Sequence, residues 1–267
     1  MKTRWVWLAA ALCMGLTAAF AQATPETPAA PPWAGSYDGE FYLEGGQARA
    51  GTWTAALRQD GDQLSGWIGQ EYDDGGCIRA SEFTAALDQD FFEATARALD
   101  GSAVETSLLA GFVEVEGQRY MYGYGTARGC GAATLPFLFL TRRLEPGCPP
   151  AGPFLYTGGL WNVEGSPGQQ RSTIERIQGQ IQGRNFTVTT IRVSTVIGPI
   201  TGTAQGKINE ACDRVQSLVI TLDTLVGPLT LRGELGITSD GSVIFGALRT
   251  GPLDPIALAG SLLARRQ

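Results

Sequence analysis

The chain has 267 residues, 43% of them hydrophobic and 17% charged, with 20 Lys and Arg against 26 Asp and Glu and no histidine. The missing histidine excludes Ser-His-Asp and Cys-His catalytic arrangements and removes the commonest ligand of zinc, copper and haem. An acidic chain without a basic run repels phosphate backbones, so nucleic acid is excluded as a partner, and it has nothing to hold an anionic bilayer surface.

Lys2 and Arg4 precede an apolar stretch from Trp5 to Phe20, and Ala21-Gln22-Ala23 supplies the small residues of a cleavage site. This is the pattern of a secretory signal peptide over residues 1–23, cleaved after Ala23. The stretch, about 16 residues, is shorter than the ~20 that span a bilayer, so no integral membrane segment is expected after cleavage. Lipid attachment at Cys13 is not expected either, because Leu12 stands where a small residue is required. Taking Lys2 and Arg4 from the 20 basic residues leaves 18 against 26 acidic ones, and Lys207 is then the only lysine. The expected location is secreted, periplasmic or on the cell surface.

Residues 24–32 form a proline-rich leader, expected to stay extended, and ordered structure is expected from Trp33. Period-two alternation follows. Tyr37, Gly39, Phe41 and Leu43 fall on one face of a strand and Ser36, Asp38, Glu40, Tyr42 and Glu44 on the other. Trp53, Ala55 and Leu57 repeat the pattern, and Asp60-Gly61-Asp62 turns the chain into Leu64 to Ile68. Phe92, Ala94, Ala96 and Ala98 alternate with Glu93, Thr95 and Arg97, and Leu135, Phe137 and Phe139 mark another strand.

Prolines crowd the segment Glu145 to Pro153, through which a strand cannot easily run. The expected organisation is therefore a β domain over 33–145, a linker over 146–153 and a second β domain over 154–267. Strands are expected in the second at Phe186 to Val196, Val215 to Leu222, Leu229 to Ile237 and Val243 to Leu248, with a tight hairpin at Asp240-Gly241. Gly-Pro pairs at 152, 198, 227 and 251 read as strand-opening turns. Leu138 to Arg143 ends in Thr-Arg-Arg and Leu262 to Arg266 in Ala-Arg-Arg. Carrying that offset back sets Gly35-Ser36-Tyr37 against Gly158-Gly159-Leu160, a hint of tandem duplication. The fold class is all-β, two tandem antiparallel barrels or sandwiches of roughly 6 to 8 strands with meander connectivity, the barrel preferred.

Cys13 leaves with the signal peptide, and Cys77, Cys130, Cys148 and Cys212 remain. In an oxidising compartment an even set reads as two disulfides. Of the three pairings, Cys77 with Cys130 and Cys148 with Cys212 keeps each bridge within one half; the others stay open at this point.

Residues that could carry function are few. In Arg119-Tyr120-Met121-Tyr122-Gly123-Tyr124-Gly125 the three tyrosines share one strand face, a row able to line a barrel pocket with Trp53 and Trp67 or to stack on sugar rings. Asp73 and Asp74, with Asp60 and Asp62, offer oxygens to a calcium ion. The same Asp73 and Asp74, or Glu114 and Glu116, are the carboxylate pairs a histidine-free hydrolase would use. Over Gly158-Gly159-Leu160-Trp161-Asn162-Val163-Glu164-Gly165-Ser166 the chain resembles the first strand of avidin-like barrels, which implies a barrel that holds a ligand. No phosphate-binding glycine loop is present, and no cofactor is expected. The leading expectation is a non-catalytic secreted or envelope-associated β protein, structural or adhesive. The alternatives are a small-ligand or carbohydrate-binding barrel and a carboxylate-dependent hydrolase, with envelope components or a small ligand as partners.

Overall fold

Alternating apolar and polar side chains carry the chain through sixteen strands and, among the described residues, no helix. The computed structural model describes residues 32–43, 49–73, 76–103, 105–128, 134–162, 170–195, 198–224, 227–251 and 259–267. The signal peptide, all of the leader but Pro32, Asp74 and Cys130 lie outside the described residues. The first barrel consists of β1 (Gly35–Leu43), β2 (Arg49–Asp60), β3 (Gln63–Tyr72), β4 (Ile78–Asp88), β5 (Phe91–Ala98), β6 (Glu105–Val115), β7 (Gln118–Arg128) and β8 (Thr134–Arg143). The second consists of β9 (Gly152–Asn162), β10 (Gln170–Gln182), β11 (Asn185–Thr195), β12 (Gly198–Ile208), β13 (Arg214–Thr224), β14 (Gly227–Ile237), β15 (Val243–Thr250) and β16 (Ala259–Arg266). Within each barrel every strand pairs antiparallel with its sequence neighbours, and β1–β8 and β9–β16 pairing closes the two rings.

The two interiors are filled by different chemistry. Barrel 1 packs aromatic rings: Trp53 stacks on Phe139 with centroids 4.5 Å apart, Phe83 on Phe92 at 5.4 Å, and Trp33 caps one end against Phe112 at 4.9 Å. Barrel 2 packs Ile, Val and Leu from β10 to β16. Eight strands leave an interior just wide enough for such side chains. Glycines Gly152, Gly198 and Gly227 open β9, β12 and β14 at φ of +126°, +118° and +118°, each followed by a proline, as the strand-opening reading requires.

A tyrosine on the first strand pairs with an arginine on the last in both barrels, Tyr37 with Arg143 and Tyr156 with Arg266. The Tyr37 hydroxyl donates to the Trp33 carbonyl at 3.0 Å and the Tyr156 hydroxyl to the Gly241 carbonyl at 2.7 Å. The counterpart of Gly35-Ser36-Tyr37 is therefore Phe154-Leu155-Tyr156, not Gly158-Gly159-Leu160. The offset read from the arginines fails at the barrel start because the second barrel holds more residues between its tyrosine and its arginine.

Trp33–Gln267 is one compact unit, because β9, β15 and β16 pack on the outer wall of β3 and β4. Ala56, Trp67, Ile78, Val243, Phe245 and Leu263 form a separate apolar core there. Glycines let the walls approach: a Cβ on Gly69 would meet the Phe245 ring at 2.9 Å, and one on Gly159 would meet Ile78 Cδ1 at 2.4 Å. Ion pairs ring this core, with Arg265 bidentate to Asp38 at 3.0 Å, Arg171 to Glu71 at 2.5 Å and Arg58 bidentate to Asp213 at 2.5 and 2.6 Å. Cys148 and Cys212 are joined in a disulfide, Cα atoms 5.0 Å apart. Cys77 is also disulfide-bonded.

Candidate binding surface

In β7 the residues between the tyrosines decide which way the row points. Met121, Gly123 and Gly125 face the interior, where a Cβ on Gly123 would meet the Phe139 ring at 2.8 Å and one on Gly125 the Phe137 ring at 2.6 Å. The glycines yield interior volume to the phenylalanines of β8. Tyr120, Tyr122 and Tyr124 are thereby turned onto the outer wall.

Register then assembles a face around them. Tyr122 lies opposite Gly111 on β6 and Leu140 on β8; Tyr124 lies opposite Leu109 and Leu138; Tyr120 lies opposite Val113 and Arg142. Phe91 on β5 lies opposite Gly111 and meets the Tyr122 ring edge-on, centroids 6.4 Å apart. These two rings lean over Gly111 and fill the gap that its missing side chain leaves. Among the described residues, every exposed large hydrophobic side chain lies on β5 to β8: Phe91, Leu109, Val113, Val115, Tyr122, Tyr124, Leu138 and Leu140. Leu109 is 58% exposed and Leu140 53%. In the ring of eight strands this wall is opposite the β3 and β4 wall that holds barrel 2.

The five aromatic residues expected to share a pocket do not. Trp53 is fully buried inside barrel 1. Trp67 is on the outer wall at the junction, under the Arg214 guanidinium at 4.1 Å from the ring centroid. A barrel wall separates Trp53 from the tyrosines, and the width of the barrel separates Trp67 from them. Nor do the aspartates form one ion site. Asp60 and Asp62 are at the β2–β3 turn, whereas Asp73 is at the far end of β3, about 30 Å along the strand, paired with Arg49 at 2.8 Å. Asp74 lies outside the described residues, and among those described no group of three Cys, Asp or Glu side chains could hold a metal. Glu114 pairs with Arg119 at 2.9 Å and Glu116 sits in the β6–β7 turn, both exposed.

Two clefts flank the junction. One, about 430 Å³, is bounded by Ser36, Leu57, Arg58, Cys212, Asp213 and Ser239. The other, about 440 Å³, runs along Trp67, Glu82, Arg97 and Arg214. In the first, Arg58 and Asp213 are already paired: burial pushes the Asp213 carboxyl up, but hydrogen bonds from Arg58 and Asn209, with the charges of Arg58 and Arg214, outweigh it and hold it below its ordinary value.

The outer leucines had a signal in the sequence. Leu135 to Leu140 reads Leu-Pro-Phe-Leu-Phe-Leu, apolar on both faces, and a strand wet on one side has no need of that. Phe91 and Leu109 had none, because single apolar residues on a surface are ordinary. No protein-family model and no curated protein matches the chain. Among solved structures it is similar to the crystal structure of a DUF3598-family protein of unknown function from Nostoc punctiforme, with 11% identity over 88% of this chain and 96% of that one and a TM-score of 0.23, too loose to carry a function across.

Proposed function

We propose that this is an exported, non-catalytic structural protein that acts through the outer face of β5 to β8. The observation that carries this is the gathering of the exposed apolar side chains onto that one wall. Monomeric soluble proteins rarely show a contiguous apolar patch beyond a few hundred Å², and larger ones mark interaction sites. The signal-peptide pattern and the Cys148–Cys212 disulfide support export. The test is native size-exclusion of extracytoplasmic extracts from cells that make the full chain. Recovery there in an assembly larger than one chain, with a folded Tyr124→Asp/Leu138→Asp variant running as a single chain, is expected. Recovery in the cytoplasm, or an assembly indifferent to the variant, would overturn the reading.

One observation favours the small-ligand reading as a second. Inside barrel 1, Trp53, Gln70 and Arg79 are register neighbours on β2, β3 and β4. The Trp53 indole N–H and the Gln70 amide nitrogen are buried without a hydrogen-bond partner. Burial lowers the pKa of the adjacent Arg79 guanidinium. The two unpartnered donors, on Trp53 and Gln70, suit a ligand bearing a carbonyl or carboxylate. Native mass spectrometry of protein from its own host would show a retained mass that Gln70→Leu releases; a bare chain mass would remove this reading.

A further inference from the structure

The occupant of the β5 to β8 face can be specified, and the inference rests on the reading of that face as the working surface. We propose that it is a second copy of this chain, packed wall to wall as an isologous dimer. Area is the first reason. Eight side chains at about half exposure, each carrying roughly 150–250 Å² when large, present on the order of 700 Å². A specific interface takes ~800 Å² from each partner, so the face has the area of one dimer half.

Shape is the second. The face is the outside of a barrel and is convex, and Phe91 and Tyr122 fill its one gap over Gly111. It offers no concavity to enclose a small molecule. Both barrels are closed, so among the described residues neither sheet ends in a free strand, and self-association is left to a wall. Charge is the third. The central rows, Leu109–Tyr124–Leu138 and Gly111–Tyr122–Leu140, hold no ionised group, while Glu93, Glu40 and Arg142 stand at their borders, both signs represented. An apolar centre with a mixed charged rim is the anatomy of a protein interface. With 18 basic against 26 acidic residues once the signal peptide is removed, the exported chain is repelled by an anionic bilayer, which disfavours lipid as the occupant.

The test is sedimentation equilibrium of the purified full-length exported chain from low to high micromolar concentration, with Tyr122→Glu/Leu140→Asp and, independently, Leu109→Asp/Leu138→Glu. These side chains are exposed, and circular dichroism with the thermal midpoint checks that both variants fold. The expected result is a dimer for the unaltered chain and at least a tenfold weaker association for each folded variant. A monomer at every concentration, or a dimer untouched by both variants, overturns the proposal. If the purified chain is monomeric while the extract assembly still depends on the face, self-pairing falls and the face reading stands. If the extract assembly is also indifferent, both fall. Monomeric binding to vesicles of phosphatidylethanolamine with phosphatidylglycerol, lost in the variants, overturns self-pairing and gives the face to lipid.

Discussion

At Gly39 and Gly158 the first strand of each barrel passes so close to the last that a side chain has no room. A Cβ on Gly39 would stand 2.2 Å from the Leu140 carbonyl oxygen, and one on Gly158 would stand 2.2 Å from that of Leu263. Backbone cannot rotate aside as a side chain does. Gly39→Ala and Gly158→Ala are therefore each expected to cost about 1–3 kcal/mol, read as a fall in the urea midpoint with unchanged slope. Midpoints within error of the unaltered chain would mean the closing strands can separate freely. Tyr37, two residues before Gly39, is sealed in the interior, and burial pushes its pKa up to about 12, with Arg143 and Arg119 pulling the other way. Because the folded value is raised, the associated stability is fully present below pH 10 and lost as pH rises through about 12. Tyr37→Phe should cost about 1 kcal/mol at neutral pH by leaving the Trp33 carbonyl unpaired. It should also flatten the alkaline fall of the thermal midpoint, and a fall as steep as before would count against this assignment. The repeated arginines were legible in the sequence. Their tyrosine partners were not, since Tyr156 sits behind a Gly-Pro opening that barrel 1 lacks.

Strand β15 shows what alternation can and cannot reveal. Val243 to Leu248 is buried throughout, because one face fills barrel 2 and the other rests on barrel 1. A continuous apolar run announces burial on two sides without naming the second partner. In β7 the alternation itself was legible, but a period of two defines two faces and not which of them is inside. The interior rings of β8 decide that, and they belong to another strand. The contrast between walls gives a prediction. Phe245→Ala, which empties the junction core, should destabilise by about 3–5 kcal/mol. Leu140→Ala, on the open wall of barrel 1, should change the stability of the dilute monomer by less than about 0.5 kcal/mol. Chemical denaturation of both variants at low protein concentration makes the comparison, and equal losses would show that the β5 to β8 wall is covered within the single chain.

The fold class and the cysteine pair Cys148–Cys212 were within reach of the sequence, but the docking of the barrels was not. Its contacts join Arg58 to Asp213, Glu71 to Arg171 and Asp38 to Arg265 across 155, 100 and 227 positions, and no local pattern marks such pairs. The turn that carries Asp213 shows how the lock is built. Cys212 adopts a left-handed conformation at φ +60°, and the Asn209 side-chain oxygen accepts from the Asp213 and Arg214 amides at 3.1 and 3.2 Å. The disulfide ties this turn to the segment between β8 and β9 and closes 64 positions of chain, a constraint worth about 4 kcal/mol in the chain-entropy account. So held, Asp213 meets the Arg58 guanidinium on both oxygens. Its folded pKa lies below the ordinary 3.8. The pair's contribution is therefore present above pH 3.8 and disappears as pH falls from there through the folded value. Asp213→Asn should be less stable than the unaltered chain at pH 7, and the gap should close as pH drops below 4. Thermal midpoints across pH 7 to 2 measure both limbs, and two curves that stay parallel would show that this carboxylate does not hold the barrels together.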